Sequence, residues 1–339
     1  MATTTQVTTF SDLYLDLENR ARVTTGVTAT ENVAKRYINI ALQDMHLGFG
    51  EKFPWAERNA ILLTQAEYTT GTLSVTQGST TITGSSTAWN TNNSFGVANM
   101  RAGGKISING GSEVYEISSV ASDTSATLTS RFTQSDVTDG TYVYFEDEYS
   151  LASDFLRPID VQQFSDGMSI DLIGRTEFRR RYPRNYITGK PVIATLIDRP
   201  PSGNTTPVRK IRFHKPPDVV YSIPYSYVTA NLAVSSAGTA ATALSSDTDE
   251  PIVPLRYRHA IVFHALYHWY RDKKDDGRSL EAKADYESVM SRIVSDNEIG
   301  SSRPQFRPRI SGYVSHAKRP YSSGGRRHDT GGKFDRMEE

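Results

Sequence analysis

Apolar residues recur at helical spacing in four stretches of the chain, two near its start and two in its last third. The first two stripes are Phe10, Leu13, Leu17 and Ala21, and then Ala34, Ile38, Ala41, Leu42 and Met45. The last two are Val262, Ala265, Leu266 and Trp269, and then Ala282, Tyr286, Val289, Met290 and Ile293. Each period places its stripe on one helix face. We predict four amphipathic helices, at 9–47 (two), 254–270 and 279–297, and expect the last pair to pack antiparallel across the short charged turn 272–277.

Between these helices the pattern changes to short alternating runs. From Tyr68 to Phe145 only eight residues are Lys, Arg, Asp or Glu, and Thr, Ser and Gly dominate. Alternation and glycine-rich turns predict roughly six to eight antiparallel strands, arranged as a small barrel or sandwich. Further strands are predicted at 187–196, 208–213 and 221–228, and Pro224 places the last at a sheet edge. The Ala/Ser/Thr-rich stretch 230–246 is expected to be a mobile loop.

These patterns predict an α+β fold with four parts. We expect a helical-bundle core with a β-hairpin arm, an inserted small antiparallel β-domain and an extended C-terminal tail. The predicted parts are 1–67, the first part of the helical core; 68–145, the inserted β-domain; 146–299, the core re-entry, the arm at 198–207 and the closing helical pair; and 300–339, the tail. The tail has nine Lys or Arg against four Asp or Glu and few aliphatic residues. It is therefore expected to be disordered in isolation.

The composition narrows the possible function classes. The 38 Lys and Arg balance the 38 Asp and Glu, so the overall charge favours neither nucleic acid nor a membrane surface. The absence of cysteine excludes disulfides, Cys-ligated zinc and thiol catalysis. No apolar stretch approaches the ~20 residues of a membrane span, and the first residues lack a signal-peptide pattern. We expect a protein made in the cytoplasm that does not contact a membrane.

Histidines on the third predicted helix are the strongest candidates for metal ligands. His264 and His268 are four residues apart, and His259 precedes them by about one turn. Two such histidines can bind zinc, but the metalloprotease pattern needs a glutamate after the first one, and Ala265 stands there. A packing role is the favoured interpretation. We accordingly predict no metal site, no cofactor and no catalytic residue.

Two other clusters also have simpler explanations than chemistry. Asp247, Asp249 and Glu250 lack the spacing of a calcium loop, and compensation of a helix N-terminus explains them. The segment Gly103-Gly104-Lys105 lacks the spacing of a phosphate-binding loop. No nucleophile-elbow pattern supports a catalytic triad.

Positive charge is concentrated in two segments, which are the predicted contacts with partners or with DNA. The first is an arginine cluster interleaved with aromatic residues, formed by Arg175, Arg179, Arg180, Arg181 and Arg184. The second lies in the tail and includes Arg326, Arg327 and Lys333. Arginine with aromatic residues suits contact with single-stranded nucleic acid, and it equally suits an acidic protein surface. Protein–protein contact is the favoured interpretation for the first cluster.

The order of these segments resembles the head–tail adaptor, or connector, proteins of tailed bacteriophages. The resembling segments are the helix containing 37–45 (Tyr-Ile-Asn-Ile-Ala-Leu-Gln-Asp-Met), the re-entry segment 149–157, Thr188-Gly-Lys-Pro191, the strand segment 211–218, and the turn 249–254 with its helix. The β-region that opens at Gly71 resembles small β-domains inserted into such phage proteins. The order of the segments, and no single motif, carries the resemblance.

The resemblance implies a structural virion protein at the head–tail interface, assembled in the host cytoplasm, and no enzyme. Adaptors of this kind form a homo-oligomeric ring, commonly of about twelve subunits, and closed rings require head-to-tail contacts between copies. The expected partners are the portal protein, a downstream tail, stopper or nozzle protein, and genomic DNA that passes through the lumen without sequence recognition. No cofactor is implied.

Two other function classes stay open at this stage. One is a carbohydrate-binding or adhesive tail protein, in which Trp89 and Tyr115 of the β-domain form a stacking platform. The other is a hydrolase of cell-wall or capsule material that uses Glu146 and Glu148. That pair is poor, because alternate residues of a strand point to opposite faces.

Overall fold

A computed structural model describes residues 7–47, 53–161, 170–183, 187–199 and 208–298. Its helices are α1 (Phe10–Ala21), α2 (Thr28–Leu47), α3 (Arg175–Arg181), α4 (His259–Asp272) and α5 (Asp276–Glu298). Its strands are β1 (Glu57–Leu63), β2 (Thr72–Val75), β3 (Thr81–Ser85), β4 (Lys105–Ile108), β5 (Val114–Ser122), β6 (Ser125–Leu128), β7 (Val137–Gly140), β8 (Tyr142–Phe145), β9 (Glu148–Ser150), β10 (Phe155–Val161), β11 (Asp171–Leu172), β12 (Ile193–Arg199), β13 (Val208–His214), β14 (Ser222–Thr229), β15 (Ala233–Val234), β16 (Ala240–Ala241) and β17 (Glu250–Pro251).

The described strands form four sheets, so the fold is α+β as predicted. The strand orders are β1-β14-β10, β11-β12-β13-β9, β16-β15-β17 and β7-β2-β3-β6-β5-β4-β8. The β11–β12 pair is parallel and the other pairs are antiparallel. The chain divides into two units between Tyr286 and Glu287. The first unit contains all four sheets.

Helices α1, α2 and α4 contact one another through the predicted stripes. All residues of these three stripes are buried. α4 also contacts α5, because the His264 ring stacks on Tyr286 with centroids 4.3 Å apart, and the Ser279 hydroxyl lies 3.5 Å from the Tyr267 carbonyl. From His264 to Tyr267 the chain advances along α4, while the contacting residue on α5 moves back from Tyr286 to Ser279. The two helices are therefore antiparallel, as predicted. α4 begins later than predicted, because Leu255–Tyr257 forms a separate 3-10 turn.

Residues 72–145 form the seven-stranded sheet, within the predicted number of strands. One apolar cluster fills it, and its largest fully buried side chains are Trp89, Tyr144 and Phe132. The edge strands β7 and β8 are separated only by Thr141. Because one residue spans less than 4 Å, the sheet has to curl until its two edges approach at that point. β7 was not predicted, since its sequence Val-Thr-Asp-Gly has no apolar alternation.

The prediction that Pro224 marks an edge strand is wrong. β14 is the central strand of its sheet and lies between β1 and β10. Pro224 is opposite Ile61 of β1, while the described pairing with β10 stops at Tyr225↔Val161. No described β10 residue therefore lies opposite Pro224. Proline has no backbone N–H, so Pro224 donates no ladder hydrogen bond, and the pairing of β14 with β1 continues through the residues on both sides of it.

The prediction of a mobile loop at 230–246 is also wrong. This stretch contains β15 and β16, which form a small sheet with β17. Asn39 of α2 fixes its end, because the side-chain amide donates to the Leu244 carbonyl (3.0 Å) and accepts from the Leu244 N–H (2.9 Å). Small residues here take part in backbone ladders, so their lack of bulk does not prevent sheet structure.

The predicted hairpin exists, with one correction to its first strand. β12 begins at Ile193, because Pro191 cannot donate a ladder hydrogen bond, and the segment from Ile187 precedes it without strand structure. β12 and β13 pair antiparallel from Ile193↔His214 to Arg199↔Val208. Most of the predicted arm, 200–207, and the whole predicted tail, 300–339, lie outside the described residues.

Candidate functional site

Helix α3 carries the predicted arginine cluster and is anchored by one buried aromatic residue. Phe178 is buried, and the guanidinium of Arg212 on β13 lies 5.8 Å from its ring centroid. The following Tyr182 stacks on His214, also on β13, with centroids 3.8 Å apart. These contacts hold α3 against the β12–β13 hairpin and turn its polar face outward.

Four of the predicted arginines share this helix, and all four are exposed: Arg175, Arg179, Arg180 and Arg181. Arg181 forms an ion pair with Glu177 (2.7 Å). Among the described residues, no carboxylate lies within ion-pair distance of the other three. Three of the four occupy the last turn, where positive charge compensates the helix dipole. Arg184 and the tail residues Arg326, Arg327 and Lys333 lie outside the described residues.

An exposed apolar patch on an edge strand was not predicted. Ile61 and Leu63 of β1 are 66% and 53% exposed, and Val219 is 49% exposed. Val219 lies next to the end of β1, because the Thr64 hydroxyl donates to its carbonyl (3.1 Å). We call Ile61, Leu63 and Val219 the β1 edge patch. Among the described strands, β1 lies at the outside of its sheet and pairs on one side only, so it offers backbone groups together with apolar side chains.

A buried charge junction connects the seven-stranded sheet to the next strands. Asp147, whose side chain is 1% exposed, accepts from Lys105 of β4 (2.6 Å) and from Arg212 of β13 (2.9 Å). Glu146 accepts two hydrogen bonds from Arg101 and one from the Tyr144 hydroxyl (2.7 Å). Burying these carboxylates is tolerable because each has cationic partners.

The expectation that Glu146 and Glu148 point to opposite sides is wrong, but their position does not support a hydrolase. Both residues line one cleft of about 330 Å³. Consecutive residues of a strand point to opposite faces, whereas Glu146 and Glu148 are two residues apart and are therefore expected on the same side. They also lie at the junction where β8 ends at Phe145 and β9 begins at Glu148. Glu146 is bound to Arg101, and Glu148 lies 3.9 Å from Lys105, so these carboxylates take part in a structural ion-pair network.

The stacking platform predicted for Trp89 and Tyr115 is wrong as well. Both residues are buried in the interior of the seven-stranded sheet. The Trp89 indole donates to the Tyr142 hydroxyl (2.9 Å), and the Tyr115 ring packs against Phe132 with centroids 5.3 Å apart. Neither ring face is available to a sugar.

The acidic cluster does cap a helix, but a different one from the expected helix. The Phe10 N–H donates to the Asp249 carbonyl (2.8 Å), and the Ser11 N–H donates to that of Asp247 (3.1 Å), so the turn satisfies the first turn of α1. The N–H groups of Ser246 and Ser245 donate to the Asp249 side chain and lower the pKa of Asp249. The cluster is therefore structural.

His264 and His268 are joined by a residue that the sequence did not suggest. Asp44 of α2 has its Oδ2 atom 3.3 Å from the Nε2 of His264 and 3.2 Å from that of His268. The two Nε2 atoms are 3.3 Å apart. Burial lowers the pKa of His264, a hydrogen bond to Asp44 opposes this, and the nearby His268 adds to the lowering. These three residues form the one group of potential metal ligands found among the described residues.

Comparison with models of known protein families gives a match. The family model described as "SU10 adaptor protein" matches residues 116–309, which is more than half of the chain. The matched region starts within β5 and includes α3, the hairpin, α4 and α5. No curated protein matches the chain. None of the described helices combines the length and apolar character needed to cross a membrane.

Proposed function

The chain belongs to the SU10 adaptor protein family, and from this premise we propose that it forms a closed ring that joins the portal vertex of a phage head to the tail. The family membership confirms the resemblance to phage head–tail adaptors, whose role in the virion is structural. The finer features are our proposal: a homo-oligomer of about twelve copies, contact with the portal protein on one side and a tail, stopper or nozzle protein on the other, and a lumen that admits DNA.

The β1 edge patch is the observation that carries this proposal. A ring subunit needs two different surfaces that fit each other, so that head-to-tail contacts repeat until the ring closes. Natural proteins normally protect an outer strand with charge or proline, yet β1 presents Ile61 and Leu63 outward. An exposed apolar edge is explained if a neighbouring subunit covers it.

The arginines of α3 support contact with a polyanion or an acidic partner surface. Arg175, Arg179, Arg180 and Arg181 are exposed on a helix whose position is fixed by Phe178. We propose that they face either the DNA lumen or an acidic portal surface. We assign the same class of contact to Arg184 and to the tail residues Arg326, Arg327 and Lys333, and we propose that the arm at 198–207 wraps a neighbouring subunit.

The ring is tested by introducing positive charge into the β1 edge patch. The double variant Ile61→Lys/Leu63→Lys changes only exposed side chains, so the fold is expected to persist by circular dichroism. Mass photometry and electron microscopy of the purified protein, alone and mixed with portal-bearing capsids, should show rings for the wild type and monomers for the variant. Leu280→Lys is the matched control, because Leu280 is as exposed as Ile61 but lies on α5. Rings that persist in the double variant would contradict the proposal.

The role of α3 is tested by two triple variants at Arg179, Arg180 and Arg181. Replacement by Glu is expected to reduce virion yield or DNA retention while the purified subunit stays folded. Replacement by Lys keeps the charge but removes bidentate pairing with carboxylates. Rescue by Lys indicates contact with the DNA backbone, and failure of Lys indicates an acidic protein surface. A normal virion yield from the Glu variant would refute both assignments.

The tail is tested by deletion of residues 300–339. We expect the shortened subunit to fold and to attach to portal-bearing capsids more weakly, because a segment that orders on binding contributes buried surface only in the complex. Co-sedimentation with such capsids measures the attachment. Capsids that fill and receive tails normally with the deleted protein would contradict this role.

A further inference from the structure

We propose that Asp44, His264 and His268 bind a divalent transition-metal ion of the zinc class, which joins α2 to α4. Two imidazole nitrogens and one carboxylate oxygen are a common protein ligand set for zinc, with a fourth position left open. Histidine spacing alone did not identify this site, because its third ligand lies 220 residues away in the sequence. The inference does not depend on the proposed ring.

The three ligand atoms are arranged as a metal ion requires. The Nε2 atoms of His264 and His268 and the Oδ2 atom of Asp44 form a triangle with sides of 3.2, 3.3 and 3.3 Å. In a tetrahedral site with bonds of about 2.0 Å, neighbouring ligand atoms lie about 3.3 Å apart. The triangle therefore matches one face of such a tetrahedron.

Hydrogen bonding alone explains this triangle less well. A neutral imidazole carries one N–H, and that hydrogen can be directed along only one side of the triangle. If both N–H groups point at Asp44, the contact of 3.3 Å between the two Nε2 atoms is not a hydrogen bond and adds no attraction. A cation above the triangle attracts all three electron pairs at once, and each ring then keeps its proton on Nδ1.

Aromatic neighbours orient both rings toward Asp44. The His264 ring stacks on Tyr286 at 4.3 Å and on Tyr267 at 5.8 Å between centroids. The His268 ring lies parallel to Tyr37 at 6.2 Å. Fixed ring orientation reduces the entropy that ligands lose on binding a metal. The His264 Nδ1 atom is buried and has no hydrogen-bond partner among the described residues, so stacking and the contacts of Nε2 orient this ring.

The site is half open, which allows a water molecule to complete the coordination. The side chains of His264 and His268 are 13% and 19% exposed, while that of Asp44 is 50% exposed. Metal ions and water can therefore enter from the Asp44 side. An ion held there ties the end of α2 to the middle of α4 and closes a long chain segment, which stabilises the folded state by binding only to it.

The test uses the untagged full-length protein after removal of metal with a chelator. Zn²⁺ is titrated in competition with a chromophoric chelator, Co²⁺ is added separately to observe the visible bands of a tetrahedral site, and thermal unfolding is followed with and without Zn²⁺. Asp44→Asn and His268→Gln remove one ligand each with little change of shape. His259→Gln is the matched control, because His259 lies on the same helix outside the triangle.

We expect the wild type and His259→Gln to bind one Zn²⁺ per chain, to give tetrahedral Co²⁺ bands, and to unfold at a higher temperature with Zn²⁺. Each ligand variant should bind Zn²⁺ more weakly by on the order of 100-fold or more, since even outer-shell partners of a metal site contribute 10–100-fold. Three results would overturn the site: no Zn²⁺ binding by the wild type at micromolar concentrations, unchanged binding by both ligand variants, or loss in only one of them.

Discussion

The seven-stranded sheet and the helical part formed by α1, α2, α4 and the start of α5 are assembled in opposite ways. The sheet uses one continuous stretch, residues 72–145, and most of its strands pair with near neighbours in sequence. The helical part joins α1 and α2 to helices that follow more than 200 residues later. Local pairing costs little loop-closure entropy, while the helical part has to close a long loop before its contacts form.

The two regions also use polar groups differently. The sheet interior is an apolar cluster, and its buried charges lie at the junction around Asp147. The helical part is closed by a buried arginine, because the Arg258 guanidinium donates to the carbonyls of Thr8, Val253 and Pro251 and to Glu250. Apolar burial is sufficient where strands are already adjacent, whereas directional bonds fix segments that arrive from distant parts of the chain.

Loss of the central indole should affect the sheet more than the helical part. Trp89→Ala removes a fully buried side chain and its bond to Tyr142, and we expect a loss of about 4 kcal/mol in the free energy of unfolding. Hydrogen exchange in urea, measured separately for the amides of β2–β8 and for those of α1, α2 and α4, follows the two regions. Phe95→Ala, at an exposed position, is the control. Equal shifts of both signals would show that the two regions unfold as one.

Removal of the junction carboxylate should uncouple the seven-stranded sheet from the strands around β13 and thereby from the rest of the fold, which includes the helical part. Asp147→Asn removes the nearest charged partner of Lys105 and Arg212, to which the more distant Glu148 lies at 3.9 and 4.0 Å. We expect a loss of about 3 kcal/mol. The two unfolding signals should then move apart along the urea axis. Asp198→Asn is the control, because its pair with Arg209 is exposed and should contribute well under 1 kcal/mol. Signals that remain superimposed would argue that this junction does not couple the regions.

Loss of the buried arginine should affect only the helical part. Arg258→Met keeps the length of the side chain but leaves three backbone carbonyls without a donor, and we expect a loss of about 2 kcal/mol. Hydrogen exchange should rise in the first turn of α1 and stay unchanged in β2–β8. Arg256→Met, an exposed neighbour, is the control. Faster exchange throughout the sheet would contradict the separation of the two regions.

The smallest expected effect is a gain in stability at a buried carboxyl of α1. Burial raises the pKa of Glu18, and the nearby Glu31 adds to the shift. The ionised form therefore costs stability above the raised folded pKa, and this cost disappears as pH falls below the unfolded pKa. Glu18→Gln should stabilise the protein by about 1 kcal/mol at neutral pH and by nothing in acid. Thermal unfolding against pH checks this, with Glu281→Gln as an exposed control; a gain that is equal at all pH values would contradict it.

Much of the local structure could be predicted from the sequence. The apolar stripes of α1, α2 and α4 are buried as predicted, and six of the seven strands in 72–145 were marked by alternating residues. The arginines of α3 could be recognised as a cluster because they are close together in the sequence. Such patterns lie within one element of the chain, so they can be recognised without knowing what that element contacts.

The β1 edge patch and the environment of Trp89 could not be predicted in this way. The run Ala60-Ile61-Leu62-Leu63 resembles a strand buried on both faces, and only its place at the outside of a sheet leaves Ile61 and Leu63 exposed. Trp89 is in a turn-rich stretch that suggests a surface position, yet the curled sheet encloses it.

The amino-acid sequence by itself determined the helical faces of α1, α2 and α4, the composition of the β-rich stretch, the density of arginines around Arg179 and the likeness to phage adaptors, whereas the short helix α3 that carries those arginines was not predicted. The tertiary structure decided which distant residues meet: Asp44 with His264 and His268, Asp249 with the start of α1, and Asp147 with Lys105 and Arg212. The reason is physical. Periodicity depends on neighbours along the chain, whereas a site made of converging side chains depends on how separate elements pack, and that information is spread over the whole fold.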